Sequence, residues 1–183
     1  MMNRRKFLQK SSLAGAGLWL APQFIPNQAW PVEPTVSVGI IGLDTSHSVA
    51  FAKALHAAQT ETSYRVTHAY PYGSLDIESS VHRIPDYIEE MKAMGVSITD
   101  SIDAMLEAVD VVLLETNDGR RHLEQAELVF KAGKRVFIDK PLAGSLKDAE
   151  KIFDLSEKYG VPTFSASALR FSPSTVAVQE GSI

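Results

Sequence analysis

Apolar residues in this chain form short runs that alternate with segments of helical periodicity. The clearest run, residues 109–115, contains an unbroken Val-Val-Leu-Leu and is typical of a strand buried on both faces. Strands are predicted at residues 35–43, 64–69, 96–98, 109–115, 135–138 and 163–166. Helices are predicted after the cap residues 44–46 and at residues 87–94, 102–108, 122–132 and 145–159. This alternation predicts βαβ crossovers and therefore a doubly wound parallel α/β sheet.

Length and composition restrict the domain organisation and the class of partner. With 183 residues, of which 45% are apolar, the chain can bury one full-sized core. The first 29 residues contain four basic residues and no acid. The net charge is −4 for the whole chain and −8 for the chain without these residues. An acidic body argues against nucleic acid and anionic membranes as partners. The absence of cysteine excludes disulfides, thiolate metal sites and a cysteine nucleophile.

The amino-terminal segment, residues 1–30, has the order of an export signal followed by a linker. Arg4 and Arg5 precede a weakly apolar run at residues 11–21, as in twin-arginine signals. This run is too short and too rich in glycine and serine to be a good membrane span. We therefore expect export to the periplasm, and no stable membrane span unless the signal stays uncleaved.

Lys140 is the leading candidate for a catalytic residue. It follows the apolar strand that ends at residue 138, and it stands between Asp139 and Pro141. Residues that leave the carboxyl end of a strand in an open parallel sheet face the ligand crevice, which makes Lys140 a candidate active-site ammonium. The alternative is a surface lysine before an ordinary turn.

Three segments together resemble the amino-terminal half of the glucose-fructose oxidoreductase/inositol dehydrogenase/MocA family. They are Asp139-Lys140-Pro141, like the family's Glu-Lys-Pro; Asn117 with His122, like its threonine-proline-asparagine segment and following histidine; and Leu169-Arg170-Phe171-Ser172-Pro173, like its Arg-Phe-x-Pro. The resemblance implies a Rossmann-like dinucleotide-binding domain over residues 35–170. It also implies a dehydrogenase of sugars or polyols that uses NAD or NADP, with Lys140 near the reacting carbinol and Asn117, His122, Asp139 and Arg170 near the ligands.

The glycine fingerprint of dinucleotide binding is altered in this chain. In an alignment that begins at Gly42, Asp44 replaces the second glycine and His47 the third. A carboxylate that faced the pyrophosphate would oppose binding, whereas Thr45, Ser46 and the helix amino terminus could still donate to it, and His47 could add charge if protonated. Asp44, Thr45 and Ser46 could equally be helix caps and nothing more.

A metal site is not predicted. Asp44, His47 and His122 could meet at adjacent strand ends, but no close ligand spacing supports such a cluster. Glu115 ends the fourth strand, where a carboxylate could orient a ligand or cap a helix.

This chain is shorter than the members of the family that it resembles. The family carries a second α/β domain with a histidine acid/base, whereas residues 171–183 supply at most the start of such a substrate domain. We therefore expect the chain alone to be inactive. It could be an incomplete product or a domain that works with a separate partner, and a homo-oligomer stays open. Two other functions stay open: a cofactor-free binding module on a Rossmann scaffold, and an NAD-dependent glycoside hydrolase related to this family.

Overall fold

The structure, a computed structural model, describes residues 35–58 and 62–181. The predicted signal at residues 1–30 lies outside these ranges. The strands are β1 Val36–Ile41, β2 Tyr64–Tyr70, β3 Ser97–Ile98, β4 Val111–Leu114, β5 Arg135–Asp139 and β6 Thr163–Ala166. The helices are α1 Ser46–Ala57, α2 Glu78–Val81, α3 Ile84–Ala93, α4 Ile102–Ala108, α5 His122–Lys131, α6 Leu146–Tyr159 and α7 Pro173–Gln179, and a 3-10 turn spans Ala168–Phe171.

The strands form one parallel sheet in the order β3-β2-β1-β4-β5-β6, which confirms the predicted doubly wound fold. The chain moves outward from β1 to β3, crosses back to β4 and then moves outward on the other side. The order therefore reverses between β1 and β4, the position at which such sheets bind ligands. The register pairs Ile41 with Leu114 and Leu114 with Ile138, so β1, β4 and β5 end side by side.

Helices cover the sheet over two clusters of buried apolar side chains. One cluster contains Met105, Phe130 and Ile152, from α4, α5 and α6. The other contains Val49, Ala52 and Met91, from α1 and α3. Because the apolar strand residues are held between these layers, the carboxyl ends of the strands have fixed positions.

The structure differs from the sequence-based prediction mainly in the segment after β2. No helix or strand was predicted between residues 69 and 87, but this segment contains the short helix α2. Helix α3 begins at Ile84, earlier than predicted, because Pro85 fits the first turn of a helix, where its missing N–H needs no partner. Among the described residues, no helix is long and apolar enough to cross a membrane.

Candidate active site

Three ionisable side chains, those of His47, Asp139 and Lys140, meet where β1, β4 and β5 end. Asp139, the last residue of β5, is 3% exposed, and its Oδ2 lies 2.6 Å from His47 Nδ1 and 3.6 Å from Lys140 Nζ. The side chains of His47 and Lys140 are 32% and 44% exposed, so both reach solvent. A buried carboxylate thus lies beside an imidazole and an ammonium at the carboxyl ends of the strands. Lys140 was predicted to lie at this end of the sheet.

Glu115 adds a second carboxylate to this cluster. It follows β4, is fully buried, and neither of its carboxylate oxygens has a hydrogen-bond partner. Burial and, to a smaller extent, the nearby charge of Asp139 raise its pKa to about 8, although Lys140 opposes the shift. One ligand atom from each of His47, Glu115 and Asp139 lies within 4.8 Å of the other two.

The raised pKa of Glu115 predicts a pH-dependent stability in the metal-free protein. Between pH 4.5 and about 8 the folded state holds a proton that the unfolded chain has lost. The free energy of unfolding therefore falls as pH rises through this window, by at most about 1.4 kcal/mol per pH unit from this group. Glu115→Gln removes the titrating group, and its stability should decline less over this range.

Urea unfolding at pH 5 and pH 8 in the presence of EDTA measures this difference. The unfolding free energy of Glu115→Gln minus that of the unaltered protein should be larger at pH 8 than at pH 5. The same difference at both pH values would contradict the raised pKa of Glu115.

Asp44 does not face solvent. It is fully buried, and its carboxylate accepts hydrogen bonds from the backbone N–H of Ser74 at 2.7 Å, from the Ser74 hydroxyl, and from the backbone N–H of Asn117 at 3.1 Å. The turn after β1 is thereby tied to the loops after β2 and β4. Gly73 makes room for this carboxylate, because a Cβ at residue 73 would lie 2.8 Å from its oxygens.

The start of α1 keeps the features of a phosphate-binding turn. Gly42 has φ +91°, and a Cβ there would lie 2.7 Å from the Thr116 backbone. Thr45 caps α1 by accepting from the His47 N–H at 3.4 Å, while Ser46 at the first helical position is exposed. Ser46 therefore meets solvent at the amino-terminal end of α1, the end of a helix that favours anions.

Two further contacts join the loops on either side of β1. Asn117 Nδ2 donates to Ser80 Oγ at 2.9 Å. Arg120 pairs with Asp118 at 2.7 Å and with the exposed Asp76, and its hydrogen bonds lower the pKa of Asp118. The Arg120–Asp76 ion pair is exposed, and such pairs are weak and screened by salt, so it contributes little to holding these loops together.

His122 and Arg170, the two remaining predicted ligand contacts, lie apart from the cluster formed by His47, Glu115, Asp139 and Lys140. His122 is fully buried at the start of α5, and its ring nitrogens lie 2.6 Å from the Thr116 carbonyl oxygen and 3.2 Å from that of Leu142. It holds two loops together. Arg170 is exposed in the 3-10 turn after β6. Neither makes a hydrogen bond or ion pair with the described residues of the cluster, so their contact with a ligand stays a prediction.

The structure also separates the three residues considered as metal ligands. Asp44 and His122 are engaged by backbone groups, whereas His47 meets Glu115 and Asp139. Sequence reasoning did not assign Glu115 to this cluster. Its signal was its position at the end of the strand between β1 and β5.

Comparison with known proteins gives a consistent picture. Residues 36–167 match the model of the GFO_IDH_MocA family, described as an oxidoreductase family with an NAD-binding Rossmann fold. No curated protein sequence matches the chain significantly.

Similar solved structures include an NAD-binding protein from Listeria innocua, with 21% identity and a TM-score of 0.64 over 80% of this chain and 39% of that one. The WlbA dehydrogenase from Bordetella pertussis, in complex with NADH and UDP-GlcNAcA, has 19% identity and a TM-score of 0.63 over 80% and 43%. Scyllo-inositol dehydrogenase from Lactobacillus casei, with bound NAD(H) and scyllo-inositol, has 22% identity and a TM-score of 0.60 over 81% and 42%. The chain thus spans less than half the length of these neighbours.

Proposed function

Because the chain belongs to the GFO_IDH_MocA family of NAD-binding Rossmann-fold oxidoreductases, we propose that it is the dinucleotide-binding part of a dehydrogenase that acts on a sugar or polyol. The substrate class is supported by structural neighbours that bind scyllo-inositol and UDP-GlcNAcA. The amino-terminal Arg4-Arg5 pair supports a periplasmic location.

The direction of the Asp44 side chain carries this proposal. A carboxylate about 4 Å from a phosphate charge would cost roughly 4 kcal/mol at an effective dielectric constant near 20. Asp44 instead directs its charge inward to Ser74 and Asn117, which leaves the amino terminus of α1 accessible beside Ser46. The residues of this turn therefore fit a dinucleotide, with its pyrophosphate at the start of α1 and its nicotinamide toward Lys140.

Lys140 and Asp139 supply the protein's part of the proposed chemistry. A nicotinamide held here would supply the acceptor for the hydride of the carbinol carbon. Lys140 would donate a hydrogen bond to the reacting hydroxyl oxygen and stabilise the negative charge that develops there as the hydroxyl proton passes to solvent water. Asp139, held by His47 at 2.6 Å, would fix the position of the ammonium.

A thermal-shift experiment on the full chain with NAD and NADP tests the dinucleotide site. At a hundred times its dissociation constant, a ligand stabilises the folded state by about 2.7 kcal/mol. Ser46→Glu places a negative charge at the proposed phosphate position, where it favours the helix itself but opposes the pyrophosphate. We expect this variant to weaken binding by a factor on the order of ten to a thousand.

Ser46→Gln is the matched control, because it adds the same bulk without the charge. It should retain most of the shift. No shift with either dinucleotide in the unaltered protein would overturn the proposal and favour a cofactor-free binding module. A shift that Ser46→Glu and Ser46→Gln reduce equally would place the phosphates elsewhere.

A further inference from the structure

We propose that His47, Glu115 and Asp139 bind a divalent transition-metal ion, with Zn²⁺ the best match, where β1, β4 and β5 end. This inference goes beyond the dinucleotide site and does not depend on it. It also departs from the sequence-based expectation, which contained no metal site. An ion here would replace the His47–Asp139 contact, so the position described above for Lys140 is that of the metal-free protein.

The donor atoms suit such an ion. The three side chains offer one imidazole nitrogen, His47 Nδ1, and carboxylate oxygens of Glu115 and Asp139, all within 4.8 Å of one another. Zn²⁺ binds histidine nitrogen and carboxylate oxygen at about 2.0–2.2 Å, which places neighbouring ligands roughly 3.4 Å apart. The His47–Asp139 pair, now 2.6 Å apart, would open, and Glu115 would move toward both.

The state of Glu115 is an independent sign of a missing partner. Its side chain is fully buried and both of its oxygens lack a hydrogen bond, although buried carboxylates are normally paired, hydrogen-bonded or bound to a metal. The same side chain supplies one of the three donor atoms. An ion placed among these three residues would satisfy Glu115 directly.

The remaining charge at this position is Lys140. Its Nζ lies 3.6 Å from Asp139 Oδ2 and would repel a metal ion at the cluster. Its side chain is 44% exposed, so the ammonium can turn into solvent when an ion enters. Removing this charge with Lys140→Met should therefore tighten metal binding, an effect that unspecific surface binding would not show.

Three protein ligands leave a coordination position open, as in catalytic zinc sites. His47 is 32% exposed, so this position can face the crevice. The ligand class that suits an open position on Zn²⁺ is an oxygen donor: water, a hydroxyl group or a carbonyl group. A sugar or polyol offers hydroxyl groups, and its oxidised form offers a carbonyl group.

The test is calorimetric titration of the EDTA-treated full chain with ZnCl₂ alone, repeated with MnCl₂ and MgCl₂. We expect one Zn²⁺ per chain, weaker Mn²⁺ binding and the weakest binding for Mg²⁺, because imidazole favours transition metals. Glu115→Gln and His47→Gln should each weaken Zn²⁺ binding at least tenfold, and Lys140→Met should strengthen it. Urea unfolding of each variant verifies that it is folded.

Two controls separate this site from unspecific binding. Glu107→Gln makes the same chemical change at an exposed position of α4, which leads into the amino end of β4. The proposed site lies at the carboxyl ends of the strands, so this variant should leave Zn²⁺ affinity unchanged. His82→Gln removes the exposed His82–Glu78 pair, whose nearest atoms are 4.0 Å apart, and should also have no effect. The proposal is overturned if Zn²⁺ does not bind stoichiometrically, if Glu115→Gln binds as Glu107→Gln does, or if His82→Gln abolishes binding.

Discussion

Replacing Asp44 with alanine is expected to lower the free energy of unfolding by about 3–5 kcal/mol. The fully buried carboxylate accepts from the Ser74 N–H, the Ser74 hydroxyl and the Asn117 N–H. Alanine leaves these donors without their acceptor, and a buried donor without a partner costs about 1–3 kcal/mol. The loops after β2 and β4 also lose their common attachment. Urea unfolding monitored by circular dichroism measures the loss.

Asp110 provides a matched control within the same chain. It also accepts from the backbone N–H and the hydroxyl of one serine, Ser37, at 2.8 and 2.7 Å, but it is exposed. Water replaces lost partners at an exposed site, so Asp110→Ala should cost only about 1 kcal/mol or less. Equal losses for the two variants would show that burial of Asp44 does not determine its contribution.

Gly42→Ala is the second substitution for which we expect a large effect. Gly42 has φ +91°, and a Cβ would lie 2.7 Å from the backbone N and Cα of Thr116. The left-handed conformation costs an L-residue about 1–2 kcal/mol, and forced overpacking adds about 1–3 kcal/mol. The unfolding free energy should therefore fall by about 2–5 kcal/mol in urea titrations.

Gly160→Ala separates these two contributions. Gly160 ends α6 with φ +63°, and a Cβ there would meet no atom within 4 Å. This variant should show only the conformational cost of about 1–2 kcal/mol. If Gly42→Ala were no worse than Gly160→Ala, the turn after β1 would have to yield without penalty, contrary to its close contact with Thr116.

The order of strands and helices was predictable because each of these segments shows its own pattern of apolar, polar and turn residues. The apolar run before Glu115 marks β4, and Gly42 with the cap residues 44–46 marks the turn after β1, without knowledge of the neighbouring segments. Parallel order then follows from the alternation of strands and helices. The helix at Glu78–Val81 was missed because four residues with two adjacent serines show no measurable periodicity.

The site was predictable only in part, because its chemistry depends on side-chain direction across distant segments. Sequence placed Lys140 and Asp139 at a strand end, and the structure finds both there beside His47. It could not show that Asp44 turns inward, since its partners Ser74 and Asn117 are 30 and 73 residues away along the chain. The lack of hydrogen-bond partners at Glu115 is likewise a property of the packed protein.

The close approach of Gly73 to Asp44 limits how this turn can evolve. With aspartate at 44, any side chain at 73 would press on carboxylate oxygens 2.8 Å from its Cβ. With glycine at 44, the donors of Ser74 and Asn117 would lose their acceptor. Each of these single substitutions is therefore expected to lower the free energy of unfolding, so residues 44 and 73 constrain each other's choice of side chain.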